Sequence, residues 1–184
     1  PLTARLHEIH DWQGFAIEPK KVELCDRMKA LIGSDEPPDA LAAKIKALQE
    51  EWKHLGHISP RRDQALWKKF HAAAEEAYKP CKQAFAQQSE LRKANLKKRM
   101  ALVNQLADYD QRMNWPGSSN GDVEGGTPDW RMVQKTLDTA RAAFNEIKPV
   151  DGRGERNSRK ALQKICDRIY SHIKYEYERN ISRN

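Results

Sequence analysis

Apolar residues recur along this chain at alternating spacings of three and four, the period of helices that pack on one side. Val22, Cys25, Met28 and Ile32 predict a helix from about Lys20 to Ile32, with Gly33 placed to end it. Leu41, Ile45, Leu48, Trp52 and Leu55 predict a second from about Asp39 to Leu55, with Gly56 as its C-terminal cap. Trp67, Phe70, Ala74, Ala77, Cys81 and Phe85 predict a third that begins after Pro60 and runs on without glycine to about Tyr109. Pro80 lies inside it and predicts a kink, a break being the alternative. Leu2, Leu6 and Ile9 mark a short helix stopping near Gly14. After the stretch NWPGSSNGDVEGGTPD, which reads as a mobile loop, helix restarts at Thr127, Pro128 and Asp129, an arrangement of cap, proline and acid. Trp130, Val133, Leu137, Ala140, Phe144 and Ile147 form its seam. A loop over 148–157 then leads to a last helix from about Ser158, with Leu162, Ile165, Ile169 and Ile173 inward. Period-two alternation is nearly absent, so the chain is read as all-α.

The seams repeat. LQEEWKHLGHISP at 48–60 returns as LDTARAAFNEIKP at 137–149, pairing Leu41 with Trp130, Leu48 with Leu137, Leu55 with Phe144, Ile58 with Ile147 and Pro60 with Pro149. Leu24 pairs with Leu102 at an offset of 78, and Trp67, Phe70, Ala74 and Tyr78 are matched to Leu162, Ile165, Ile169 and Ile173 at an offset of 95. Lengthening loops explain the drift, since loops are where a repeat tolerates insertion. The expected architecture is a tandem of three-helix, spectrin-like and coiled-coil-like repeats sharing one long connecting helix. Residues 1–19 are read as the tail of an upstream unit, 20–96 as the first repeat, and 97–184 as the second with a mobile loop at about 111–128.

The hydrophobic fraction of 39% against 32% charged residues suits thin bundles rather than a thick core. Cys25, Cys81 and Cys166 are scattered singly, which argues against a disulfide framework and for a reducing, cytoplasmic setting with each thiol in the core. No apolar stretch approaches the roughly 20 residues that cross a bilayer, so no membrane association is expected. The opening PLTARLHEIH has no initiator Met and no signal-peptide pattern, and reads as the start of a piece of a longer protein, proteolysis or Met removal being the alternatives. Charge is segregated: residues 1–39 hold 5 basic and 8 acidic groups, and residues 40–100 hold 14 and 6. Residues 131–184 carry a further excess of six positive charges.

Few residues suggest chemistry. His7 with His10 and His54 with His57 are spaced by three, but zinc needs three or four converging ligands and no Cys or carboxylate cluster accompanies either pair. The adjacent pairs Glu50–Glu51 and Glu75–Glu76 diverge on a helix and read as solvated faces. GRGE at 152–155 and GSSNG lack the preceding strand and following Lys-Ser/Thr of a phosphate loop. Trp52 and Trp67 flank one turn and read as core. No catalytic residue, metal, cofactor or small-molecule substrate is expected. The basic clusters Arg61, Arg62, Lys68, Lys69, Arg92, Lys93, Lys97, Lys98 and Arg99 read first as solvated helix surface, and against that the segregation of sign makes them the feature with functional reach, as contacts for phosphates or an acidic partner.

Trp52, Leu55, Gly56, Ile58, Pro60, Arg61, Leu66, Trp67 and Phe70, in the string W-K-x-L-G-x-I-x-P-R followed by L-W-x-x-F, resemble a bacterial helical repeat family of unknown function, family 349. DWQGFAIEPKK and AYKPCKQAF extend the resemblance over 11–100, whereas the second copy departs at Arg141 and Asn145. The resemblance implies fold and repeat, and no activity, ligand or catalytic residue. The expected function is a non-enzymatic scaffold or spacer within a larger bacterial protein, its partner a protein or other domains of the same chain. The alternative is binding of nucleic acid or ribonucleoprotein through basic helix faces.

Overall fold

The computed structural model describes residues 2–113, 115 and 128–182, and among them helix is the sole regular element. The described residues form five helices in order: α1 Leu2–Ala30, α2 Pro38–His54, α3 Pro60–Arg112, α4 Trp130–Glu146 and α5 Gly152–Ile181. The chain divides into two compact units between Gln87 and Gln88, inside α3. The all-α reading therefore holds.

Unit 1 is built from α1, α2 and the first part of α3. Its core gathers Leu24, Cys25 and Met28 of α1, Leu41, Ile45, Leu48 and Trp52 of α2, and Phe70, Ala73, Ala74, Ala77 and Cys81 of α3. Unit 2 repeats the plan with the rest of α3, α4 and α5, around Val103, Leu106, Val133, Leu137, Ala140, Phe144, Leu162, Ile165, Cys166 and Ile169. The heptad seams of α2 and α4 are thus the buried faces expected of them.

Several boundaries differ from the sequence reading. The short first helix does not stop near Gly14, because α1 continues through Gly14 and Pro19 to Ala30. Pro19 is exposed, and so is Phe15, whose carbonyl loses its helical donor and can turn to water. Gly14 faces the α2–α3 turn, where a Cβ would meet Ile58 Cγ2 at 3.9 Å, an ordinary contact, so the helix does not depend on glycine there. Gly33 ends this segment with φ +73°, as expected. Gly56 is not a left-handed cap: Leu55 caps α2 in an extended conformation, and a Cβ at Gly56 would come within 3.1 Å of Ile17 Cδ1, so glycine serves close packing.

The chain does not break at Pro80, which α3 passes on its exposed side together with Glu76, the residue whose carbonyl is left without a donor. The cap of α4 is Asp129, not Thr127: its carboxylate accepts from the backbone N–H groups of Arg131 at 3.0 Å and Met132 at 3.4 Å. Thr127 lies outside the described residues, as does most of the expected loop at 111–128. Of that loop, residues 111 and 112 finish α3, and Trp115 is buried in the unit 2 core. Helix α5 starts at Gly152, not near Ser158. Glu155 N–H already donates to Asp151 O at 2.7 Å, and Gly154 is a packing glycine whose Cβ would fall 3.1 Å from both Leu96 and Val150.

The register of the third helix also needs correction. Trp67 is 44% exposed, so it is not the counterpart of buried Leu162. Burial instead pairs Phe70 with Leu162, Ala73 with Ile165, Ala74 with Cys166 and Ala77 with Ile169, an offset of 92.

Candidate functional site

Each unit holds a cation inside its core. In unit 1 Lys21 of α1 is 2% exposed, its ammonium paired with Asp63 of α3 and standing 4.9 Å from the centroid of the Trp52 ring on α2. In unit 2 Arg99 of α3 is equally buried and pairs with Glu155 of α5. Its Nε donates to Ile147 O at 2.8 Å, and its guanidinium lies 4.4 Å from the Phe144 centroid on α4. Asp63 and Glu155 are both the fourth residue of their helices, again at an offset of 92. A buried charge is tolerated when paired and hydrogen-bonded, and an aromatic face adds a favourable quadrupole.

These pairs mark their carboxyls. Partial burial pushes Asp63 upward, but the hydrogen bonds from Lys21 and from His57 Nδ1 at 3.2 Å outweigh it and hold the carboxyl below its ordinary value. The hydrogen bonds of Arg159 and then Arg99 lower Glu155 likewise. Burial raises the thiols of Cys25 and Cys166, and all three cysteines are free and buried, as the sequence suggested.

The nine predicted contact residues part ways. Arg99 is in the core and has no surface to offer, because its side chain lies under Phe144 and bonds Glu155. Arg62 pairs with Glu18 at 3.1 Å, Lys93 with Glu90 at 2.8 Å and Arg92 with Asp151 at 3.7 Å. Arg61, Lys68, Lys69, Lys97 and Lys98 are exposed and have no ion-pair partner among the described residues. Arg61 with Lys68 and Arg62 with Lys69 stand seven residues apart, nearly two turns, so the four share one face of α3 in unit 1. Arg92, Lys93, Lys97 and Lys98 belong to unit 2.

Asp110 is a third polar centre, missed in the sequence because nothing distinguishes it from surface acids. Its Oδ1 accepts from Trp115 Nε1 at 3.0 Å and its Oδ2 from Arg168 Nε at 2.7 Å, with His172 stacked on Trp115 at 4.7 Å between centroids. Among the described residues no group of His, Cys, Asp and Glu side chains could hold a metal. His54 is exposed, and the side chains of His7 and His10 lie outside the described residues. Among the described residues no helix is long and apolar enough to cross a membrane.

The family Domain of Unknown Function (DUF349) matches the chain over residues 17–61 and 65–153, well over half its length. The chain belongs to this family. No curated protein and no solved structure matches it. In this DUF349 chain the matched segments hold Lys21 with Trp52 and Arg99 with Phe144. Both segments end at the second residue of a helix, Arg61 in α3 and Arg153 in α5. Those ends are again 92 residues apart, the register that burial and the acids paired with the two core cations give.

Proposed function

We propose that this DUF349 chain is a non-enzymatic helical scaffold or spacer, working in the cytoplasm as part of a larger bacterial protein. The observation that carries the reading is the duplicated core cation. In both units a core cation and its acid, Lys21 with Asp63 and Arg99 with Glu155, are held in a pair that ties one helix to another, and Asp110 of unit 2 is likewise tied to Trp115 and Arg168. What faces outward is helix surface. Trp12 and Phe15 of α1 are 76% and 78% exposed, large apolar groups available to a protein partner or to another domain of the same chain.

A second reading, binding of nucleic-acid phosphates, is favoured by the exposed cations of α3 that have no ion-pair partner among the described residues, Arg61, Lys68, Lys69, Lys97 and Lys98. A photo-crosslinking residue placed in turn at Trp12 and at Lys97 in cells separates the two. A nuclease-resistant protein adduct at Trp12 is expected for the scaffold. A nuclease-sensitive adduct at Lys97 supports the second reading, and no adduct from either position overturns both.

A further inference from the structure

Helix α5 carries, on the side away from its core, a row of cations that belongs to none of the basic clusters of α3. We propose that Arg153, Arg156, Lys160 and Lys164 form a track for the phosphodiester backbone of duplex nucleic acid. The proposal rests on the phosphate-binding reading of the chain and adds a site on another helix.

The four residues follow at spacings of three, four and four, so they lie within about 80° of one another around α5 and extend about 16 Å along it. Ser158, Leu162, Ile165 and Ile169 bury the opposite face. All four cations are exposed, and none has an ion-pair or hydrogen-bond partner among the described residues. This contrasts with Arg159 on the same helix, which pairs with Glu155 at 2.5 Å. The row ends at Asp167, whose carboxylate accepts from Gln163.

Two features make this more than solvated surface. Arg153 and Arg156 lie in the first turns of α5, where the helix dipole already favours acids over cations. Folding gains nothing from that placement, but an anion arriving there meets both fields together. The successive cations are about 4.5 to 6 Å apart along the axis, close enough to engage neighbouring phosphates of a strand whose charges recur every ~3.4 Å.

The same surface fits other anions poorly. A protein interface would centre on a buried aromatic or aliphatic anchor, and an amphipathic membrane helix needs an apolar face. None of the exposed large hydrophobic residues lies between Arg153 and Lys164. Without an aromatic in the row there is no platform for unstacked bases, which favours a duplex over a single strand.

The test is fluorescence anisotropy of a labelled 20-base-pair DNA with the full chain, between 50 and 200 mM salt. The variants are Arg153→Gln/Arg156→Gln/Lys160→Gln/Lys164→Gln on α5 and Lys68→Gln/Lys69→Gln/Lys97→Gln/Lys98→Gln on α3. The α5 variant is expected to lose at least about tenfold in affinity at 50 mM salt. Its log–log salt slope should flatten by about 0.9 for each phosphate that is no longer neutralised, up to about 3.6. Its melting curve should match wild type. Should it melt early, Lys160→Gln and Lys164→Gln singly, each flattening the slope by about 0.9, give the same answer.

An α5 variant equal to wild type overturns the proposal. If the α3 variant alone then loses affinity, the phosphate reading survives without this site. No wild-type binding at 50 mM salt sinks both. Tighter binding of a single strand, or equal competition by polyglutamate or phosphatidylserine vesicles, overturns the assignment to duplex backbone.

Discussion

Lys21 and Arg99, 78 residues apart, each press a buried cation against an aromatic ring and aim it at the fourth residue of the third helix in their own unit. Arg99→Ala removes the partner of Glu155, the donor to Ile147 O and the packing on Phe144 at once. It should destabilise by about 3 kcal/mol, the lower end for breaking a buried pair, because Glu155 keeps Arg159. Arg99→Met preserves much of the stem packing and should lose about half as much. Urea unfolding of both variants measures the difference, and equal losses would assign the whole effect to charge.

Acid should weaken both units through the same carboxyls. Asp63 and Glu155 are held below their ordinary values, so the unfolded chain takes up their protons first. Their stabilisation is fully present above the unfolded values, about 3.9 for Asp and 4.3 for Glu, and is lost as pH falls from there through the lower folded values. Melting temperatures between pH 6 and pH 2.5 should fall more steeply for wild type than for Asp63→Asn/Glu155→Gln. Parallel profiles would remove these two groups from the account.

The two tryptophans at the α2–α3 turn should separate sharply. Trp52 is buried, stacks on Phe70 at 4.4 Å between centroids and receives Lys21 on its face, so Trp52→Ala should cost about 3 to 5 kcal/mol. Trp67 is half-exposed, tilted against Trp52 at 5.9 Å and stacked with His71 at 5.4 Å. Trp67→Ala should cost about 1 to 2 kcal/mol, roughly the aromatic pairing and part of its area. A Trp67 loss as large as that of Trp52 would return Trp67 to the core.

Much of the fold was legible because α2 and α4 carry aliphatic residues at regular heptad positions, and such a stripe has one side to bury. The third-helix register was not. Unit 1 fills with Ala73, Ala74 and Ala77 the places that Ile165, Cys166 and Ile169 fill in unit 2, so matching by size drew Trp67 onto Leu162 three residues out of step. Pro19 and Gly154 look like breakers in the sequence, although an exposed proline and a tightly packed glycine both leave a helix intact. A lysine such as Lys21 reads as surface until Asp63 and Trp52, 42 and 31 residues away, are brought to it. Of the α5 row only Lys160 and Lys164 fell on an expected helix, because the loop read over 148–157 took in Arg153 and Arg156 and so hid the first two members.

The sequence treated Lys97, Lys98 and Arg99 as one cluster, and charge reversal should split them. Lys97 and Lys98 are exposed, so Lys97→Glu/Lys98→Glu should leave the melting temperature nearly unchanged, as for other surface substitutions, within about 0.5 kcal/mol. If these lysines meet phosphates, the double variant should bind duplex or RNA more weakly. Its salt slope should flatten by about 0.9 per phosphate on B-form DNA, or about 0.7 on a single strand. Arg99→Glu places a second carboxylate beside Glu155 in the core of unit 2 and should unfold that unit before any ligand is added. Calorimetry followed by a salt titration of each variant distinguishes the roles. A stable Arg99→Glu protein would show that Arg99 can leave its pocket, and would return it to the surface cluster where the sequence had put it.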